Sequence, residues 1–287
     1  MTTPADTFRL LLSEPGLRVT SGCYDALSAR LIEQAGFPLA FMSGFAVSAV
    51  RLGLPDTGLI SYGEMVAQGR DICAAVKIPV LGDGDTGYGN ALNVKRTVEG
   101  YARAGFAAVM IEDQVAPKRC GHTAGKAVVG REEALARMRA ALDARAEGPD
   151  IAIIARTDAR ATEGLEEALA RARAFAELGA ELIFVEAPLD EAELARICQE
   201  VPAPQMANML HQGHTPILAP NKLEALGFKL AVYPFTGLAA AIKAMTESLA
   251  ELAAGRDPAE RMVDFETLCR LAGFEDYRRE EERYRSD

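Results

Sequence analysis

Four times in this chain a glycine stands between a helix-periodic segment and a short apolar run: Gln34-Ala35-Gly36-Phe37, Arg103-Ala104-Gly105-Phe106, Glu177-Leu178-Gly179-Ala180 and Ala225-Leu226-Gly227-Phe228. Glycine adopts the left-handed conformation that ends a helix at little steric cost, so each site reads as a helix C-cap with a strand beginning within three residues. The segment before Gly179 shows the helical period directly. Leu165, Ala168, Leu169, Ala172, Phe175 and Ala176 share one face, and Glu166, Arg173 and Glu177 occupy the other. Apolar runs at 17–20, 39–42, 78–81, 107–111, 151–155, 182–185, 204–207 and 229–233 then give eight strands separated by helical segments. That order predicts an α/β fold, a (β/α)8 TIM-type barrel, with a doubly wound sheet as the alternative because a strand count does not prove closure. One barrel domain is expected to span 1–287, with 237–287 as a C-terminal helical extension: helices at 238–252 and 259–271, then a charged tail.

Composition excludes several function classes. The net charge of −10, with no basic cluster beyond Lys118-Arg119, argues against a nucleic-acid partner. No run of eighteen apolar residues is present to span a membrane, and the polar start Met1-Thr2-Thr3-Pro4-Ala5-Asp6 lacks the pattern of a signal peptide. A soluble cytoplasmic protein is the expectation. Five cysteines without Cys-x-x-Cys spacing suggest neither a disulfide framework nor a structural zinc site, so reduced thiols are expected. Cys73, Cys198 and Cys269 lie in apolar helical patterns and read as buried and inert.

The chemistry concentrates where the apolar runs stop, which in parallel α/β proteins is where sites are built. Leu81 leads into Gly82-Asp83-Gly84-Asp85-Thr86-Gly87-Tyr88-Gly89-Asn90, and the next strand ends in Ile111-Glu112-Asp113-Gln114. On an extended segment Asp83 and Asp85 would point the same way, and two such carboxylates repel unless one is protonated or a cation lies between them. With Glu112 and Asp113 adding oxygens, the donor set suits Mg²⁺ or Mn²⁺ better than an all-protein calcium cage. Lys118-Arg119-Cys120-Gly121-His122 follows in a loop, where neighbouring positive charge would lower the pKa of the Cys120 thiol. Elsewhere Ser43-Gly44-Phe45 follows the second strand, Arg156 the fifth, Glu186 the sixth and Asn208 the seventh, with Asp56 in a turn after the second. Ser43 and the amides beside it suit a carboxylate or keto oxygen. Arg156 offers a planar fork for a carboxylate.

Together the Asp-Gly-Asp-Thr-Gly-Tyr-Gly-Asn strand end, Ile-Glu-Asp-Gln and Lys-Arg-Cys-Gly-His resemble the isocitrate lyase and phosphoenolpyruvate mutase superfamily, specifically its cysteine-bearing lyase branch. The resemblance runs over nearly the whole chain. It implies that Asp83, Asp85 and Glu112 hold Mg²⁺, with Asp56 in the surrounding water shell. It further implies that Cys120 is the catalytic acid in a mobile loop with Lys118, Gly121 and His122. Ser43, Gly44, Phe45, Arg156, Glu186 and Asn208 then match substrate-binding positions, and Tyr88 shapes the site. The general base stays open among Asp56, a metal-bound water, Tyr24 and Tyr88. The implied activity is carbon-carbon cleavage of a 2-hydroxy di- or tricarboxylate, such as 2-methylisocitrate or 2,3-dimethylmalate, to pyruvate and a second carboxylate. Oxaloacetate hydrolysis is the rival within the superfamily, and a non-catalytic dicarboxylate-binding barrel is the rival outside it. The resemblance also implies a helix-swapped homotetramer of paired dimers. One region departs from the pattern: His211 stands where relatives carry a glutamate, and His214 lies close by.

Overall fold

The computed structural model describes residues 2–121 and 125–285. Eight strands, β1 (Arg18–Cys23), β2 (Ala40–Met42), β3 (Val80–Asp83), β4 (Ala108–Glu112), β5 (Ala152–Thr157), β6 (Leu182–Val185), β7 (Gln205–Asn208) and β8 (Leu230–Tyr233), pair in parallel in chain order. β1 also pairs with β8, at Arg18 with Leu230 through Ser21 with Tyr233, so the barrel closes. The open doubly wound sheet is thereby excluded.

Alternation along each strand separates two cores. Inside the barrel lie Phe41, Leu81, Met110, Ile154, Phe184, Met206 and Val232. Their neighbours Ala40, Met42, Val80, Val109, Ile111, Ile153, Ala155 and Ile183 instead join the apolar layer shared with the helices. The helix Pro4–Ser13 adds Phe8 and Leu12 to the interior core. A residue two positions beyond an interior apolar residue points inward again. Applied at the carboxyl ends, this rule brings Ser43, Asp83, Glu112, Arg156, Glu186 and Asn208 to the mouth as its uppermost layer.

Helix ends follow the glycine pattern, with one shift. Gly105, Gly179 and Gly227 are left-handed C-caps at φ of 100°, 103° and 107°. After the helix Ala26–Gln34 the cap is Ala35, and Gly36 takes the left-handed position one residue later. β1, β3 and β5 run two or three residues past their apolar runs, because the residues at their ends still pair in the ladder.

Two compact units divide the chain, 1–235 and 236–287. Taken by itself, the second holds the helices Thr236–Ala253, Phe265–Ala272 and Phe274–Arg283. The expected continuous helix over 259–271 is broken: Ala259–Arg261 forms a 3-10 turn, and Asp264 accepts a hydrogen bond from the Thr267 N–H at 2.6 Å to start a new helix. Among the described residues no helix is long and apolar enough to cross a membrane. The five cysteines are free. Cys73, Cys198 and Cys269 are half-buried rather than buried, but burial still pushes the Cys73 and Cys198 thiols up to about 12.

Candidate active site

A small cavity of about 50 Å³ opens at the carboxyl ends of the strands. Ser43, Phe45, Asp56, Asp83, Arg156, Glu186 and Asn208 line it from the barrel, and Lys118, Cys120 and Gly121 line it from the loop after β4. Asp85 and Glu112 stand beside it, the first against Lys118 and the second against Arg156. His122 lies outside the described residues. Gly44 packs against the acids: its N–H donates to Asp83 Oδ2 at 3.2 Å, so this amide is not free for a ligand. The Ser43 oxygen accepts from the Ala46 N–H at 3.3 Å, capping a short helix while its proton remains available to donate. Tyr24 and Tyr88 do not line the cavity. Tyr88 borders a neighbouring space, with its ring edge-on to Tyr62 and its hydroxyl 3.5 Å from that of Tyr101.

Asp83 and Asp85 meet by a different route from the one expected. β3 stops at Asp83, and Asp85 has φ of 47°, a left-handed conformation rather than an extended one. A turn closed by the Asp85 N–H donating to Asp83 Oδ1 at 3.1 Å brings the carboxylates together. A β-carbon at position 44 would lie 2.7 Å from Asp83 Oδ2 and 3.4 Å from Asp85 Oδ1, so only glycine admits this approach.

Asp113 is not part of the acidic cluster. Being adjacent to the inward-facing Glu112, it points away from the mouth. There its oxygens accept from Thr157 Oγ1 at 2.7 Å, the Asp158 N–H at 2.9 Å and Arg171 Nη1 at 3.0 Å.

Lys118 also differs from a free charge beside the thiol. Its ammonium lies 2.6 Å from Asp56 Oδ1 and 2.8 Å from Asp85 Oδ1, with all three side chains buried. Arg156 is similarly committed: Nε and Nη2 reach Asp158 at 2.8 and 3.1 Å, with Glu112 and Glu186 each at 3.3 Å. Burial alone would raise the Asp158 pKa, but Arg156 and Lys126 outweigh it and bring the group down to about 2. Burial pushes Asp85 up to about 6 against the pull of Lys118, with Asp83 and Asp56 adding to the rise, and burial drives Glu112 well above the carboxylate range.

Six buried carboxylates, Asp56, Asp83, Asp85, Glu112, Asp158 and Glu186, thus face the three cations Lys118, Lys126 and Arg156 among the described residues. Glu112 Oε1 is buried with no hydrogen-bond partner among them. A divalent cation would reduce both deficits. No three acidic, histidine or cysteine side chains form a ready-made metal cage among the described residues.

The loop approaches so closely that Gly121 has no room for a side chain. A β-carbon there would lie 2.5 Å from Arg156 Nη2 and 2.7 Å from Glu186 Oε2. Gly121→Ala is therefore expected to lift the loop and lower kcat by about a hundredfold, the scale of an ångström misplacement, while the melting temperature stays near wild type. Steady-state kinetics together with thermal melts check this. An unchanged kcat would mean that the observed approach is not needed for turnover.

The model of the family described as phosphoenolpyruvate phosphomutase matches residues 8–253. The chain belongs to this family. Members of the wider superfamily depend on a divalent metal. A 2,3-dimethylmalate lyase of Eubacterium barkeri is 43% identical over 283 residues, covering 98% of both chains. A crystal structure of 2,3-dimethylmalate lyase, described as a PEP mutase/isocitrate lyase superfamily member, superposes with a TM-score of 0.92 at 37% identity, over 97% of this chain and 94% of that one. An oxaloacetate acetylhydrolase, solved with the inhibitor 3,3-difluorooxalacetate, gives 0.91 at 35% identity over 96% and 95%. The phosphomutase-family barrel therefore carries both lyases and hydrolases at nearly equal structural distance, and the choice between them rests on side chains.

Reading the sequence missed Asp158, Lys126 and Gln114, which hold the site from behind. Asp158 stands two residues after Arg156 at a strand end, a signal that was present. Lys126 and Gln114 gave none, since their partners are set by the fold of the loop.

Proposed function

We propose that the protein is a Mg²⁺-dependent carbon-carbon lyase that cleaves a 2-alkylmalate or methylisocitrate-type substrate to pyruvate and a second carboxylate. The observation that carries this reading is a cysteine lining a cavity with Asp56, Asp83, Arg156 and Glu186 among apolar side chains, in a chain 43% identical along its length to a 2,3-dimethylmalate lyase. Asp83, Asp85 and Glu112 would hold the metal, with Asp56 nearby. When bound, the ion supplies Lewis-acid stabilisation of the charge that develops on the substrate's 2-oxygen.

The chain's own groups do the rest. Ser43 and Arg156 hold the carboxylate end. Asp56, which alone of the candidate side-chain bases lines the cavity, takes the 2-hydroxyl proton. As the C2–C3 bond breaks, its electron pair passes to C3 and is delocalised into the adjoining carboxylate. The Cys120 thiol gives its proton to C3, leaving a thiolate that is reprotonated after product release. The loop carrying Cys120 and Gly121 excludes water from the basic carbon.

The second unit exposes Met245, Leu249, Leu252 and Phe265, an apolar surface of the kind that subunit contacts cover. A homotetramer is the assembly proposed. The test of activity is a panel of 2,3-dimethylmalate, other 2-alkylmalates, 2-methylisocitrate and oxaloacetate, each with Mg²⁺. Pyruvate release from an alkylmalate or methylisocitrate is expected. Oxalate and acetate from oxaloacetate as the dominant products would replace the lyase reading with the hydrolase one.

A further inference from the structure

Two side chains that do not line the cavity grip the peptide on either side of Cys120. Before it, the Gln114 amide acts as a bidentate clamp. Its Oε1 accepts from the Arg119 N–H at 2.9 Å, and its Nε2 donates to the Arg119 carbonyl at 2.9 Å. Gln114 is fully buried, and its own carbonyl accepts from Arg137 Nη1 at 2.8 Å. After it, the Lys126 ammonium donates to the Gly121 carbonyl and to Asp158 Oδ1, the latter at 3.0 Å. Lys126 is buried too, with 5% of its side chain exposed. Asp158 in turn holds Arg156 through two hydrogen bonds and is itself fixed by its N–H to Asp113. The loop base adds a bridge between Gln114 and Val128.

Neither contact serves the stability of the barrel in an obvious way. A solvated loop would satisfy the Arg119 and Gly121 peptides with water, and burying an ammonium costs free energy unless its partners are fixed. What the arrangement fixes is one thiol. A cysteine on a loop held at one side only would sweep through several ångströms, whereas one held on both sides has a defined direction.

We propose that Gln114 and Lys126 are positioning residues which set Cys120 for proton transfer. Asp158 joins Lys126 to Arg156, so that the thiol and the carboxylate-binding guanidinium move as one assembly. This rests on Cys120 being the acid of the lyase reaction.

The test uses the full-length protein with Mg²⁺ and two readouts. One is the iodoacetamide alkylation rate of the Cys120 peptide followed by mass spectrometry, which needs no substrate. The other is kcat against the affinity for oxalate, a small pyruvate-like ligand. Gln114→Leu and Lys126→Met are each expected to raise Cys120 alkylation about tenfold through opening of the loop, and to lower kcat about a hundredfold. Oxalate affinity should fall far less than kcat, because Asp158 still holds Arg156 through two hydrogen bonds when either residue is replaced. Gln114→Glu keeps the acceptor for the Arg119 N–H but loses the donor, so an intermediate alkylation rate is expected; it also serves if the leucine variant does not fold. Lys126→Arg keeps the charge and should alkylate more slowly than Lys126→Met. Folded variants with wild-type alkylation and kcat would overturn the proposal, as would equal losses of kcat and oxalate affinity. If no substrate in the panel is cleaved, alkylation still decides whether the clamp exists, so failure of the lyase reading and failure of the clamp are separable.

Discussion

Addition of EDTA is expected to abolish turnover, and Mg²⁺ or Mn²⁺ to restore it, because the mouth of the barrel gathers more carboxylates than its lysines and arginine can neutralise. Full activity in chelator would remove the metal assignment. The sharper form of the test is Asp85→Asn. It should lose metal binding by calorimetry, since an amide oxygen is a far weaker ligand than a carboxylate. Its effect on the metal-free protein has the opposite sign. Burial pushes Asp85 up to about 6 in the fold, above the ordinary carboxylate range, so its ionised form is disfavoured by folding. The cost is absent below the unfolded pKa, grows as the pH rises between the two values, and is complete above about 6. In EDTA the asparagine variant should therefore melt higher than wild type at pH 8, with the gap narrowing at pH 5. A large fall in melting temperature at pH 8 would instead make Asp85 a structural partner of Lys118, with which it shares a 2.8 Å ion pair.

That result also bears on how much of this molecule can be read before its structure is known. The eight strands and their helices are legible because apolar runs and glycine-ended helices are local patterns, whereas closure rests on the pairing of β1 with β8, which no local pattern carries. The inward set was legible for the same reason: Leu81 and Asp83, Met110 and Glu112, Ile154 and Arg156, Phe184 and Glu186, and Met206 and Asn208 are each two apart on one side of a strand. The same rule turns Asp113 outward, since it is one residue from Glu112 and so faces the helices, where Arg171 meets it.

What could not be read is set by contacts between distant segments. The left-handed turn at Asp85 uses a conformation uncommon outside glycine, though aspartate is among the residues enriched in it, and the apolar pattern of the strand does not announce it. Lys118 lies more than thirty residues from Asp85 and more than sixty from Asp56, yet their charges are paired. The Lys118 charge is thus shared with two buried acids rather than standing free beside Cys120. Tyr88, placed at the site by its neighbours in sequence, is turned into the adjoining space by its own positive φ of 59°.

Cys120→Ser is expected to lower lyase turnover by roughly two to four orders of magnitude, the usual scale for a lost general acid. The substitution keeps the approximate shape of the side chain. It replaces a group with an ordinary pKa of ~8.5 by a hydroxyl too weak an acid to protonate a carbanion efficiently. Cys120 lines the cavity beside Gly121, and the Lys118 ammonium, two residues before it, is paired with Asp56 and Asp85. Acid catalysis needs no lowering of the thiol pKa, because a protonated thiol is the form that donates. Affinity for pyruvate and oxalate should hardly change, since Ser43, Arg156 and the acidic cluster remain. A serine variant with near-normal turnover, and with chemistry shown to be rate-limiting by single-turnover kinetics, would remove Cys120 from the mechanism. The clamp formed by Gln114 and Lys126 would then need another purpose, and the likeness to the lyases would speak for the fold alone.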